Sequence, residues 1–179
     1  MLFRSLTDLH DDGFDPTLTL DERLGQFEPP ESKAVVTPYA EHLRWAEAIV
    51  FVYPTWWSGP PALLKGWFDR VWVSGLAYNP PNGTNHITAR LTNIRRLMVV
   101  TTHGSSKWVN AVQGEPGKRV MFRALRLMCH PFTRTSWASA SDVFEDALVI
   151  STWAAPNMAL SRRKSSHRCD VMKSPRSSR

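Results

Sequence analysis

The sequence predicts an α/β domain built on a parallel sheet. Two short, continuous apolar runs carry this reading: Ile49, Val50, Phe51, Val52, Tyr53, and later Leu97, Met98, Val99, Val100, Thr101, Thr102. Runs of that kind mark strands buried on both faces. Each is followed by turn residues and then by an amphipathic helical pattern, and strands alternating with helices imply parallel pairing. With 179 residues, 42% of them apolar, the chain amounts to one domain with enough apolar material for a packed core.

The elements follow in order. Residues 3–9 are a short, mixed strand candidate. Residues 10–38 are rich in turn formers and acids, with a short helix expected at 20–26. A helix is expected at 38–45, ahead of the first apolar strand at 49–53, which stops at Pro54. The next helix is the best specified. Pro60 and Pro61 suit a first turn, where a missing N–H costs nothing. Leu63, Leu64, Trp67, Phe68, Val71 and Trp72 then fall on one stripe of a 3.6-residue repeat, so these aromatics read as core or dimer contacts. Lys65 and Asp69, four apart on the polar side, read as a solvated pair. Gly75 is placed to end the helix. A long loop over 75–93 leads to the second strand, which ends at His103-Gly104, and another loop runs to Gly117. A basic amphipathic helix follows, with Val120, Met121, Ala124, Leu125, Leu127 and Met128 inward. Its Lys118, Arg119, Arg123 and Arg126 face outward and read as a solvated face in preference to one that attracts a ligand's phosphates. Residues 133–140 form a third strand. Residues 147–153 are apolar, but Pro156 interrupts them before any helix is established. The expected division is therefore a domain over 1–146 and a basic, Ser-rich tail over 147–179, expected to be disordered.

Charge and cysteine content narrow the class. The net charge of +6 resides in residues 161–179, which hold seven Lys/Arg against Asp170 alone; the rest of the chain balances. The basicity belongs to the tail, so nucleic acid is not an expected partner of the domain. Cys129 and Cys169 are too few for a disulfide framework and fit a reducing compartment. Their pairing with His130 and His167 lacks the C-x₂-C spacing of a metal site, so no metal is expected. No apolar run reaches the ~20 residues of a membrane span, and the first residues lack a signal-peptide pattern. The expected location is the cytoplasm, without membrane insertion.

In a parallel α/β sheet, ligands bind outside the carboxyl ends of the strands. Two segments leave strand ends here: Pro54, Thr55, Trp56, Trp57, Ser58, Gly59, and Thr101, Thr102, His103, Gly104, Ser105. The first is compact, aromatic and leads into a helix N-terminus, which favours an electron-rich ligand edge. The second is small and hydroxylated, allowing close backbone approach. A planar heterocycle with hydrogen-bonding edges fits between them, as would other flat ligands.

Residues 51–71, F-V-Y-P-T-W-W-S-G-P-P-A-L-L-K-G-W-F-D-R-V, resemble the signature of the NAD(P)H dehydrogenase (quinone) family, P-x-x-W followed by P-A-x-L-K-G-W-x-[DE]-R-V. Thr-Thr-x-Gly at 101–104 resembles that family's second flavin-contacting loop, and weaker similarity runs from about residue 3, through Asp12-Gly13-Phe14-Asp15-Pro16, to about residue 140. The resemblance implies a flavodoxin-like, doubly wound parallel sheet of order 2-1-3-4-5. It also implies FMN or FAD as cofactor, NAD(P)H as co-substrate, a quinone-like acceptor and a homodimer. The flavin contacts carried over by motif are Pro54, Thr55, Trp56, Trp57, Ser58, Thr101, Thr102, His103 and Gly104, with Trp56 and Trp57 as ring walls or core aromatics. His103 stands where the family often has a small residue, and reads equally as a flavin contact and as a surface histidine.

The sequence departs from the family in three ways. The family's opening strand and its H-P-x-x-x-S-F-N phosphate loop have no counterpart, so the usual first, central strand is expected to be missing. The Tyr and His linked to hydride transfer in mammalian members are absent from 105–117, where Trp108 and Pro116 lie near their places; no catalytic side chain is singled out. Residues 147–179 do not resemble the family's last helix. The expected activity is flavin-dependent reduction of quinones or similar acceptors by NAD(P)H. The alternative is a non-catalytic remnant or a regulatory subunit, like family members that serve potassium-efflux systems.

Overall fold

The computed structural model describes residues 3–83, 86–104, 106–140 and 148–154. The chain opens with strand β1 (Phe3–Asp8), short helix α1 (Leu20–Leu24) and helix α2 (Thr37–Trp45). Thr19 caps α1 reciprocally with Glu22, satisfying two N-terminal amides. Strand β2 (Ala48–Pro54) leads to helix α3 (Ala62–Val71), with Pro60 and Pro61 just ahead of the helix rather than inside its first turn. A two-stranded ribbon, β3 (Tyr78–Asn79) and β4 (Thr88–Ala89), lies within the long loop. Strand β5 (Arg96–Thr102) is followed by helix α4 (Lys107–Val112), where the sequence reads as loop. Ser106 accepts from the Val109 amide, the side-chain cap that starts α4. Helix α5 (Pro116–Arg119) continues through a π turn at Val120–Ala124 and a 3₁₀ turn at Leu125–Met128, then strands β6 (Arg134–Ala140) and β7 (Val149–Ala154) close the fold.

The expected basic helix at 118–128 is thus an α turn followed by one widened and one tightened turn, not one regular helix, and the change of pitch re-aims its side chains. Met121 is fully buried and Leu125 and Met128 pack against the core, but Leu127 and Ala124 are exposed instead of inward.

Five strands form one sheet in the order β1-β7-β2-β5-β6. β2 pairs parallel with β5, and β5 parallel with β6. β7 pairs antiparallel with both β1 and β2, so it alone runs against the other four. The order corresponds to 2-1-3-4-5 with β7 in the central slot. This corrects two expectations. The sheet is mixed rather than parallel, and residues 148–154 belong to the sheet rather than to a disordered tail. Apolarity alone could not assign 147–153, since a short apolar run fits a strand as well as a helix. Residues 155–179, including His167 and Cys169, lie outside the described residues.

The core lies on one side of this sheet. Ile49, Phe51 and Tyr53 of β2 and Leu97 and Val99 of β5 are buried on the face shared with α2 and α3. Edge-to-face rings connect Phe14, Tyr39, Trp67, Phe51, Phe68 and Trp72 in one chain. The α3 aromatics are therefore core residues. Gly66 lets α3 approach Pro16: a Cβ there would stand 2.4 Å from the Pro16 ring and carbonyl oxygen. Arg70 locks the same contact, pairing with Glu22 at 2.7 Å and lying over the Phe14 ring. Lys65 and Asp69 form the expected exposed pair, at 2.6 Å.

Candidate functional site

The parallel pair β2–β5 delivers the two strand-end segments to one place. Pro54 stands opposite Thr102 at the end of the ladder, and the Thr55 amide extends it by donating to the Thr102 carbonyl at 3.1 Å. Below, the Thr55 and Thr101 hydroxyls share a hydrogen bond of 2.7 Å. Thr101 is fully buried, so this bond forms a dry tie between the loops.

Beyond Thr55 the chain reverses in a two-residue turn. Trp56 and Gly59 exchange both backbone hydrogen bonds, at 3.0 and 2.9 Å. Trp57 and Ser58 at the tip both have positive φ, 46° and 63°, the signature of a type I′ turn normally filled by Asn or Gly. Non-glycine residues held there cost about 1–3 kcal/mol each, and such strain concentrates at ligand sites. The surroundings enforce the turn. The Gly117 amide donates to the Ser58 carbonyl at 2.9 Å, and the Ser58 hydroxyl donates to Gln113. The amides of Trp57 and Ser58 meet no acceptor among the described residues and remain available to a ligand.

The two tryptophans are not core. Trp56 is 62% exposed and Trp57 is 98% exposed. Gly104 is also exposed, with open space where a Cβ would stand. His103 is half-buried. It stacks on Trp137 at 6.2 Å, and Phe122 packs edge-to-face with that indole. Its Nδ1 is buried and has no partner among the described residues. Burial pulls this imidazole below the ordinary histidine value, opposed by the Glu115 carboxylate. The neutral ring lines a narrow cleft whose walls include Thr55, Ser58, Glu115, Gly117 and Trp137.

Sequence reasoning missed the α4–α5 contribution to this cleft. Gly114 and Glu115 take consecutive left-handed conformations, φ 78° and 46°, which swing the chain back so that Gly117 touches the Trp57–Ser58 turn. Gly114 and the Pro116-Gly117 pair are turn signals that could have marked this return. Trp137 lies on β6 and carried no local signal. Trp108 is exposed. Cys129 is buried, and burial pushes its thiol up to about 12, an inert position.

A family model described as the flavodoxin-like fold matches residues 5–132. The chain belongs to that family. Among curated relatives, this flavodoxin-like chain is 39% identical over 75 residues to NAD(P)H dehydrogenase (quinone) 1 of Rattus norvegicus, a match covering 42% of this chain and 26% of the relative. It is 36% identical over 76 residues to the uncharacterized NAD(P)H oxidoreductase YcaK of Escherichia coli K12, covering 40% of this chain and 37% of the relative. The chain thus spans well under half the length of these curated relatives. The solved NAD(P)H:quinone oxidoreductase from Methanothermobacter marburgensis superposes with a TM-score of 0.59 at 26% identity, covering 78% of this chain and 72% of that one.

Proposed function

We propose that this chain is a flavin-dependent NAD(P)H oxidoreductase that reduces quinones or similar acceptors, acting as a cytoplasmic homodimer. One observation carries the reading. The type I′ turn at Trp57–Ser58 and the Thr101–Gly104 segment meet at the carboxyl end of β2 and β5, tied by the Thr55 bonds, with the turn's two amides free. This arrangement fits a flat heterocycle with acceptor atoms along one edge, such as the isoalloxazine of FMN or FAD.

Bound there, the flavin would supply the hydride chemistry. The protein's own part is positional. The Trp57 and Ser58 amides would hold the ring edge, and the turn keeps them in place before any ligand binds. Gly104 leaves room for the ring to approach the second loop. The exposed Trp56 and Trp57 indoles offer apolar wall for the ring and its acceptor. His103 lines the cleft, and its neutral ring would present a polar edge to a ligand group entering there.

A second reading, a non-catalytic or regulatory subunit, draws on β7. The slot it fills belongs in the family to the strand that leads into the flavin-phosphate loop, and β7 runs the opposite way, so it brings no such loop to the site. Flavin titration separates the two readings. Stoichiometric quenching of FMN or FAD fluorescence, lost in a Thr55→Val/Thr101→Val variant that still folds, supports the oxidoreductase. A folded protein that binds neither flavin supports the regulatory reading.

A further inference from the structure

The basic face at 118–126 divides into two unlike pairs. Lys118 is committed to Glu115, at 3.2 Å. Arg126 is committed to the backbone, donating from Nε to the Thr133 carbonyl at 3.1 Å and from Nη2 to the Pro131 carbonyl at 3.2 Å. Arg119 and Arg123 are exposed, and their guanidinium groups make no ion pair or hydrogen bond among the described residues. They stand four residues apart, spanning the passage from α5 into the π turn.

Both line an open cleft of about 680 Å³ together with Gly114, Glu115, Lys118 and Phe122. Glu115 and Lys118 also line the cleft between the strand-end loops, so the two spaces adjoin. Gly114 shapes the wall: a Cβ there would stand 3.2 Å from Arg119 Nη2, so glycine lets the guanidinium lie against the turn. The left-handed Glu115 directs its carboxylate onto Lys118 and not onto the arginines. What remains uncompensated is two guanidinium forks, whose planar donors match phosphate oxygens.

We infer that Arg119 and Arg123 form a receptor for a nucleotide phosphate, that of the NAD(P)H co-substrate, beside the flavin cleft. The inference rests on the oxidoreductase reading above for the identity of the co-substrate, and on the two free guanidinium groups for the chemistry. The flavin's own phosphate is the other source of the same chemistry.

The experiment titrates adenosine 2′,5′-bisphosphate into the full chain without flavin, by calorimetry, for wild type and Arg119→Gln/Arg123→Gln. Both positions are exposed, so the melting temperature of the variant should match wild type. Expected are an affinity that falls as salt rises and a loss of roughly tenfold or more in the variant, the scale of charge-assisted bonds. In flavin-loaded protein, KM for NADPH should rise on the same scale with kcat held. Equal affinity of wild type and variant for the bisphosphate would overturn the inference. So would a variant that weakens FMN but not lumiflavin, which would assign the arginines to the flavin phosphate. If the bisphosphate binds through the arginines but no flavin binds, the receptor stands and the oxidoreductase reading falls. If flavin turnover is intact and insensitive to the variant, the receptor alone falls.

Discussion

The two flanks of β2 are built from different material. Toward β5 the pairing is parallel, and the buried positions alternate as Ile49, Phe51, Tyr53 against Leu97, Val99, Thr101. Toward β7 the pairing is antiparallel. There Ile49 meets Thr152, Val50 meets Ser151, and Phe51 meets Ile150. Ser151 and Thr152 are both buried. Ser151 is satisfied by the Trp153 indole N–H at 2.6 Å, whereas the Thr152 hydroxyl has no partner among the described residues. The backbone ladder accepts either direction, because every strand carries the same N–H and C=O groups. Side-chain fit records which flank is well matched, and the β7 flank, with two successive buried hydroxyl side chains, is the poorer in apolar contact, although the Tyr53 hydroxyl of β2 is also buried without a partner among the described residues. It is also indispensable to the sheet, since β1 pairs only with β7.

The strongest way to break the comparison is to charge the poorer flank. Ile150 is 3% exposed and packs between β1 and β2. Ile150→Asp should cost about 4 kcal/mol or more, a large share of a typical domain's 5–15 kcal/mol. Amide exchange distinguishes two outcomes. If the flanks are separate units, amides of residues 3–8 and 149–154 lose protection while those of 96–102 keep it. Equal loss in all three would show one cooperative sheet and end the comparison.

A smaller effect sharpens the other flank. Gly66→Ala places a methyl 2.4 Å from Pro16, a backbone and ring contact that cannot rotate away. The expected cost is about 1–3 kcal/mol, from overpacking, read as a lower urea midpoint. Gly104→Ala, with nothing near its Cβ, should leave the midpoint unchanged and affect flavin affinity instead. A Gly66→Ala variant as stable as wild type would mean that the Pro16 segment is free to move off α3.

These contrasts explain what could be read from the sequence. β2, α3 and β5 are legible because each is specified locally, by an apolar run or a 3.6-residue stripe, and the motif between them fixes the two strand-end loops. The tie between Thr55 and Thr101 follows once those strands are placed in parallel. β7 is not legible, since V-I-S-T-W-A carries polar residues at buried positions and its place depends on an empty slot far away in sequence. The α4–α5 wall of the cleft is hidden for a related reason. It rests on left-handed backbone at Glu115, a residue that rarely adopts it, and on a π turn that breaks the expected helical register. The outward arginines were visible, but only their partners divide them into committed and free.

A stabilising substitution comes next in size. Thr152→Val removes a buried hydroxyl that has no partner among the described residues and replaces it with a methyl group of similar volume. Threonine to valine is ordinarily costly where the hydroxyl is bonded; here it should raise stability by about 1 kcal/mol. The gain should appear as a higher urea midpoint at unchanged slope. A loss would show that the hydroxyl is satisfied after all, and that the β7 flank is better matched than its chemistry implies.

The smallest effect concerns pH and the site itself. Burial lowers the His103 pKa in the folded protein, so the unfolded chain takes up this proton first as the solution is acidified. Above the ordinary histidine value of about 6.5 the ring is neutral in both states and contributes no slope. Below it, the unfolded state binds the extra proton and stability falls, until the folded-state pKa is passed and the loss levels off. The ring is partly open to solvent and Glu115 opposes the shift, so the change should be modest. His103→Phe should keep the stacking on Trp137 while flattening stability between pH 6.5 and the acid side. A wild-type His103 that titrates at or above the ordinary value by NMR would mean that a partner reaches Nδ1, and that the cleft holds a charged ring rather than a neutral acceptor.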